Sequence, residues 1–143
     1  MSARKILIDT SVWIEYFRQK SSPISDKVDR VLDEDEVYIP KIVMAELMQG
    51  ARTEKEIAVI KDFIEAFHII DQNEDAWLKA GKLSYDLKKR GKKIHLLDCY
   101  IAVMAQEYGC TIFTLNRHCA RMTVLVHEKP PLVIVNISKV RSD

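Results

Sequence analysis

Lys5-Ile6-Leu7-Ile8-Asp9-Thr10-Ser11-Val12-Trp13-Ile14 holds three signals in one short stretch: an apolar run of strand length, an acid that closes it, and a Thr-Ser pair suited to start a helix. Asp9 is therefore expected at the carboxyl end of a strand, the edge where open α/β sheets bind ligands. Strand and helix signals alternate from here to the end of the chain, which predicts an α/β sheet. Strands are expected at Lys5 to Ile8, Val37 to Ile39, Ala66 to Ile70, Thr111 to Thr114 and Val133 to Ile137, each short and rich in β-branched or aromatic residues. The first two helices are expected at Ser11 to Arg18, with Val12, Trp13, Tyr16 and Phe17 on one stripe, and at Pro23 to Leu32, with Ile24, Val28, Val31 and Leu32 on another. A third starts after Pro40 and stops at Gly50, a fourth covers Glu54 to Glu65, and a fifth covers Glu74 to Arg90 before Gly91. The last, opened by Asp98 and running from Cys99 to Tyr108, is apolar nearly all round, the mark of a buried helix. No internal repeat, low-complexity tract or linker divides the chain.

The chain has 143 residues, 48% hydrophobic and 30% charged, which suits one domain, residues 1–143, built on a single core. Lys+Arg of 22 against Asp+Glu of 21 leaves a net charge of +1. No overall field commits the molecule to nucleic acid, membrane or an acidic partner, so any polyanion must be held locally. Cys99, Cys110 and Cys119 are odd in number and form no CxxC pair, as expected of reduced thiols in a reducing compartment, with Cys99 and Cys110 in the core. No apolar run approaches the ~18 residues of a membrane span, and the run after Arg4-Lys5 is too short for a signal peptide. The expected location is cytoplasmic, without a membrane partner.

Two further acids stand in apolar sequence. Glu46 lies among Ile42, Val43, Ala45, Leu47 and Met48, and Asp98 follows Ile94-His95-Leu96-Leu97 and precedes Cys99-Tyr100-Ile101-Ala102. A charge in such surroundings is rarely buried without a partner. Taken singly, Asp9 has an ordinary explanation as the N-cap of the next helix. Taken together, three acids that each sit where a strand or apolar run gives way to a helix can share one pocket. Carboxylates brought that close raise one another's pKa, and a hard divalent cation such as Mg²⁺ or Mn²⁺, or a shared proton, compensates them.

Four blocks in order resemble a PIN-domain nuclease of the VapC toxin type: Ile8-Asp9-Thr10-Ser11-Val12-Trp13-Ile14, then Pro40 to Gly50 around Glu46, then Leu97-Asp98-Cys99-Tyr100-Ile101-Ala102, then Thr111-Ile112-Phe113-Thr114-Leu115-Asn116-Arg117-His118. The resemblance runs from about Ile6 to Val135. It implies a three-layer α/β/α fold, a central mostly parallel sheet of about five strands flanked by helices, and a divalent-metal-dependent endoribonuclease. By the same resemblance, Asp9 and Asp98 are direct metal ligands, and Glu46 holds water or a second ion and helps activate the nucleophile. Asn116 matches a position where the family often has a fourth acid; an amide brings no charge, so a second ion should bind more weakly. Thr10, Ser11 and Thr114 resemble positions that orient the carboxylates. Glu107 does not replace the missing acid, because nine residues beyond Asp98 at ~100° per residue puts it on the opposite face of the helix. His118 is nearer in sequence to the site, with phosphate as its candidate contact. The expected products are a 5′-phosphate and a 3′-hydroxyl, and the expected partners are RNA, a cognate antitoxin and a second copy of the chain.

Lys88-Lys89-Arg90-Gly91-Lys92-Lys93 is the densest basic cluster. It is a candidate RNA contact, or an ordinary solvated helix end, as are Arg117 and Arg121 individually. Trp13, Tyr16 and Phe17 read first as core; the resemblance adds that early helices form an apolar groove for the antitoxin's C-terminal segment. His95 and Cys99 are spaced i, i+4, but two ligands make no zinc site, and His68 and His127 belong to no motif. The alternatives are a non-catalytic PIN-like RNA-binding or scaffold protein, suggested by Asn116, and a PIN nuclease of RNA maturation. A haloacid-dehalogenase-like hydrolase with Asp9 as nucleophile needs a second acid two residues on, where this chain has Ser11.

Overall fold

The computed structural model describes residues 3–19, 21–71, 75–116, 122 and 132–137. Among these, strands and helices follow the order β1 (Lys5–Ile8), α1 (Thr10–Arg18), α2 (Pro23–Glu34), β2 (Glu36–Pro40), α3 (Lys41–Gln49), α4 (Glu54–Ile64), β3 (His68–Ile70), α5 (Ala76–Lys89), α6 (Leu96–Tyr108), β4 (Thr111–Thr114) and β5 (Val133–Asn136). Several boundaries differ from the sequence reading by one to three residues, and two of these have a clear local cause. β3 starts at His68 because Ala66 and Phe67 close the end of α4, their N–H groups donating to Phe63 and Ile64 carbonyls. α6 starts at Leu96, with His95 at the N-cap, so Asp98 lies inside the first helical turn instead of before it.

All strands are parallel, in the order β3-β2-β1-β4-β5. β1 is central: Ile6 pairs with Val37 on one side and Thr111 on the other, and Ile6, Leu7 and Ile8 are all 0% exposed. That is why this strand reads as an unbroken apolar run and not as an alternating one. From β1 the chain steps outward through β2 to β3, then returns to fill the other side with β4 and β5. The order therefore reverses between β1 and β4, and a crevice at the carboxyl end of such a reversal is where α/β sheets bind ligands.

Right-handed crossovers put α1 to α4 on one face of the sheet and α5 and α6 on the other, a three-layer α/β/α arrangement. The helix contacts agree, with α1 against α2 and α3, α3 against α4, and α5 against α6. The α5–α6 pair is an antiparallel hairpin, because Lys79 near the start of α5 pairs with Glu107 near the end of α6 at 3.1 Å. Tyr108 also donates to the Asp71 carbonyl at 3.3 Å. Gly109, at φ +69°, ends α6 in the left-handed conformation that favours glycine, and β4 begins two residues later. The far end of α6, with Asp98, is thereby carried to the carboxyl edge of the sheet.

Cys99 to Ala105 are buried without interruption, as expected of the apolar helix. On the opposite face Trp13 is fully buried and its ring lies 5.7 to 6.0 Å from those of Tyr16, Phe17, Phe63 and Phe67. Trp13 is core, and Tyr16 and Phe17 pack half-buried against it. No helix among the described residues is long and apolar enough to cross a membrane.

Candidate active site

Asp9 closes β1 and begins α1. Its N–H donates to the Phe113 carbonyl at 2.9 Å, and its own carbonyl accepts from Val12 and Trp13. It stands at the N-cap position, yet its side chain makes no capping bond. The carboxylate turns towards β4, where Oδ2 accepts from Ser11 Oγ at 2.8 Å and from Thr114 Oγ1 at 2.9 Å. Each of these hydroxyls itself accepts a backbone N–H, Ser11 from Leu115 at 3.2 Å and Thr114 from Asn116 at 3.0 Å. A hydroxyl has a single proton; with a lone pair of each taken by an amide, both protons are committed to Asp9. The carboxylate is 5% exposed and held in one orientation. Its other oxygen, Oδ1, accepts no hydrogen bond from the described residues.

Glu46 lies on α3, which follows directly from the carboxyl end of β2. Thr10 Oγ1 donates to its Oε1 at 2.9 Å, so the adjacent hydroxyl residues Thr10 and Ser11 serve one acid each. Burial pushes the Glu46 carboxyl above its usual value, the negative charge of Asp9 adds to the rise, and the Thr10 bond opposes it. The two acids are thus within electrostatic reach of one another.

Asp98 arrives from the opposite layer. It is the third residue of α6, half-buried, in the turn where the helix presents its positive end. Asn116 follows β4 and is half-buried; its backbone N–H is already part of the Asp9 support. Glu107 is taken up by Lys79, away from the carboxyl edge. Cys99 and Cys110 are buried, and burial pushes both thiols up to about 11. Arg117, His118, Cys119, Arg121 and His127 lie outside the described residues. What sequence reasoning missed is the part played by the Leu115 and Asn116 amides, since no side-chain type announces a backbone donor.

Whether this set suits a divalent ion is a question of donors. Carboxylate oxygens are the hard ligands that Mg²⁺ and Mn²⁺ prefer, and Asp9 offers one oxygen tied down and another clear of hydrogen bonds from the described residues. Among the described residues no group of three or more His, Cys, Asp or Glu side chains is gathered closely enough to hold an ion. Mg²⁺ does not need such a cage: it keeps several waters and is held through one or two carboxylates plus substrate phosphates. The donors fit that mode.

A concavity lies between α1, α3 and α4. It encloses about 380 Å³ and is lined by Ile14, Phe17, Leu47, Ala51, Val59 and Ile60, with Arg18, Lys55 and Glu56 at its polar margin. Arg18 donates to the Gly50 carbonyl at 3.3 Å. The groove adjoins the acid edge through α1 and α3, since Leu47 is the neighbour of Glu46.

Comparison with known proteins agrees with the geometry. A family model described as PIN domain matches residues 6–125. Ribonuclease VapC1 of Methanocaldococcus jannaschii is 32% identical over 113 residues, covering 79% of this chain and 76% of that protein. Ribonuclease VapC1 of Haemophilus influenzae strain R2866 is 29% identical over 114 residues, covering 77% and 85%. The structure of VapBC-1 from nontypeable Haemophilus influenzae superposes with a TM-score of 0.73 at 26% identity, covering 94% of this chain and 99% of that one.

Proposed function

We infer the function from one premise: this chain belongs to the PIN-domain family. It is a VapC-type endoribonuclease that hydrolyses RNA phosphodiester bonds with a divalent cation, Mg²⁺ or Mn²⁺, and is restrained by a cognate antitoxin. The observation that carries this reading is the fixed Asp9 carboxylate. Two hydroxyls spend their only protons on one of its oxygens, a preorganisation that an ordinary helix cap has no use for. Asp9 and Asp98 would hold the cation. Such an ion, when bound, supplies neutralisation of charge at the scissile phosphate and acidification of the attacking water.

The chain's own residues do the rest. Ser11 and Thr114 keep Asp9 aimed. Glu46, whose proton affinity is raised by burial, takes a proton from the attacking water more readily than an exposed glutamate does. Asn116 brings no charge and supports Asp9 through its backbone, so the site works with one ion. The groove between α1, α3 and α4 takes an apolar segment of the antitoxin, in the manner of a peptide docking its anchors into a groove. The toxin acts as a homodimer.

Cleavage of total cellular RNA by purified protein, with Mg²⁺, Mn²⁺ or chelator and beside Asp98→Asn prepared identically, tests the reading. Discrete fragments that need metal and vanish in the variant are expected. Intact RNA in every lane, with folded protein free of antitoxin, overturns catalysis in favour of a PIN-like binding protein.

A further inference from the structure

The turn between α5 and α6 concentrates positive charge. Lys88, Lys89, Arg90, Lys92 and Lys93 are five of the 22 cations within six consecutive residues, and without them 17 cations face 21 acids. All five are exposed. The turn is a defined structure: Gly91 N–H donates to the Lys88 carbonyl and Lys92 N–H to the Leu87 carbonyl, each at 2.9 Å, with Gly91 at φ +74°. These bonds are the Schellman pattern that ends a helix. Lys89 is steadied further, its ammonium lying 4.9 Å from the centre of the half-exposed Tyr85 ring.

Its position in the fold matters as much as its charge. The hairpin ties the start of α5 to the end of α6, so the turn sits at the other end, the carboxyl edge, and Lys93 precedes Asp98 by only five residues. Cations in the last turn of a helix are ordinarily explained by its dipole. That accounts for Lys88 and Lys89 and not for Lys92 and Lys93, which lie beyond the cap. An acidic site has the converse need, because a polyanion approaching carboxylates must find positive charge nearby.

We propose that the Lys88–Lys93 turn is the phosphate grip of the site, holding the backbone of single-stranded RNA beside the acid edge. This rests on the RNA-nuclease reading and adds the element that holds the substrate. Electrostatic contact of this kind weakens with salt by about 0.7 in the logarithmic slope per phosphate neutralised on a single strand.

The test compares Lys88→Gln/Lys89→Gln/Lys92→Gln/Lys93→Gln with its parent, both carrying Asp98→Asn, for binding to an unstructured labelled RNA oligonucleotide across a salt series. The expected result is a salt slope shallower by about 2 to 3 and affinity at low salt down by more than about tenfold. In the active enzyme the same changes raise KM and leave kcat within about twofold, as expected for lost uniform binding. Arg30→Gln/Lys61→Gln, on α2 and α4, serves as the charge control, and thermal melting reports folding. Should the fourfold variant not fold, the Lys88/Lys89 and Lys92/Lys93 pairs are substituted separately, each with about half the loss of slope.

An unchanged slope and affinity overturns the grip, as does the absence of salt-sensitive binding in the parent. Lysine-dependent binding by a wild-type protein that cleaves no RNA supports the grip and overturns the nuclease reading. Cleavage with KM unmoved by the lysine changes leaves the nuclease reading standing and overturns the grip.

Discussion

The ends of β1 and β4 and the groove between α1, α3 and α4 are neighbours that differ in how they treat polar groups. At the strand ends the Asp9 oxygen, two hydroxyls and two amides are all committed to one another. In the groove, apolar side chains such as Phe17 and Val59 border an open cavity of about 380 Å³. On the proposed reading, the difference separates chemistry from recognition. Chemistry needs carboxylates fixed before substrate arrives, and the chain supplies the partners itself; recognition leaves apolar surface for another molecule to cover.

If that division holds, the two regions fail separately. The largest effect is expected from Asp9→Asn, which on the proposed reading removes a direct ligand and lowers metal-dependent RNA cleavage by more than about 100-fold, beyond the range seen when only a supporting partner is lost. Retained cleavage in a preparation free of contaminating nuclease would sink the assignment of Asp9. Next is Thr114→Val, which keeps shape and deletes the proton given to Asp9. Cleavage drops about 10- to 100-fold and more Mg²⁺ is needed for half-maximal rate, while Thr114→Ser restores both. If the serine variant is as poor as valine, Thr114 matters for packing and not for aiming the carboxylate.

On the recognition side, Val59→Asp is tolerated by the fold because the residue is 51% exposed. It weakens antitoxin binding by about tenfold or more, measured by calorimetry, and leaves RNA cleavage within about twofold. Loss of cleavage with binding intact would reverse the assignments of the two regions. The smallest effect concerns Glu46 in chelated protein. Its carboxyl holds its proton more tightly when folded than when unfolded, so the folded form is favoured below the ordinary glutamate range and loses that advantage as pH rises through the raised value. Glu46→Gln should flatten this fall, seen as a smaller decline in Tm from acidic to neutral pH. A parallel decline in both proteins would mean that burial of Glu46 has no net cost.

The fold was largely legible in the sequence because parallel strands buried on both faces leave continuous apolar runs: β1 and β4 have the expected limits, and Pro40 and Gly109 mark the expected ends. Misplaced boundaries arose where local signals compete. Leu96 and Leu97 read as a continuation of an apolar run, yet they form the first turn of α6 with exposed side chains. At the site the acids were visible as charges in apolar sequence, and the N-cap explanation of Asp9 fell only when the side chain was seen turned towards Thr114. That bond joins residues 105 positions apart, a distance over which no local pattern carries information. The amides of Leu115 and Asn116 were hidden for a different reason, since every residue but proline has one.

The same separation has a consequence for timing during synthesis. At about 5 to 20 residues per second, Thr114 leaves the ribosome roughly 5 to 20 s after Asp9. Until then the nascent chain has its first acid but not the strand that aims it, and pairing across such a span is among the slower steps of folding. A nuclease born beside ribosomal and transfer RNA thus completes its cutting edge only when most of the polypeptide has emerged.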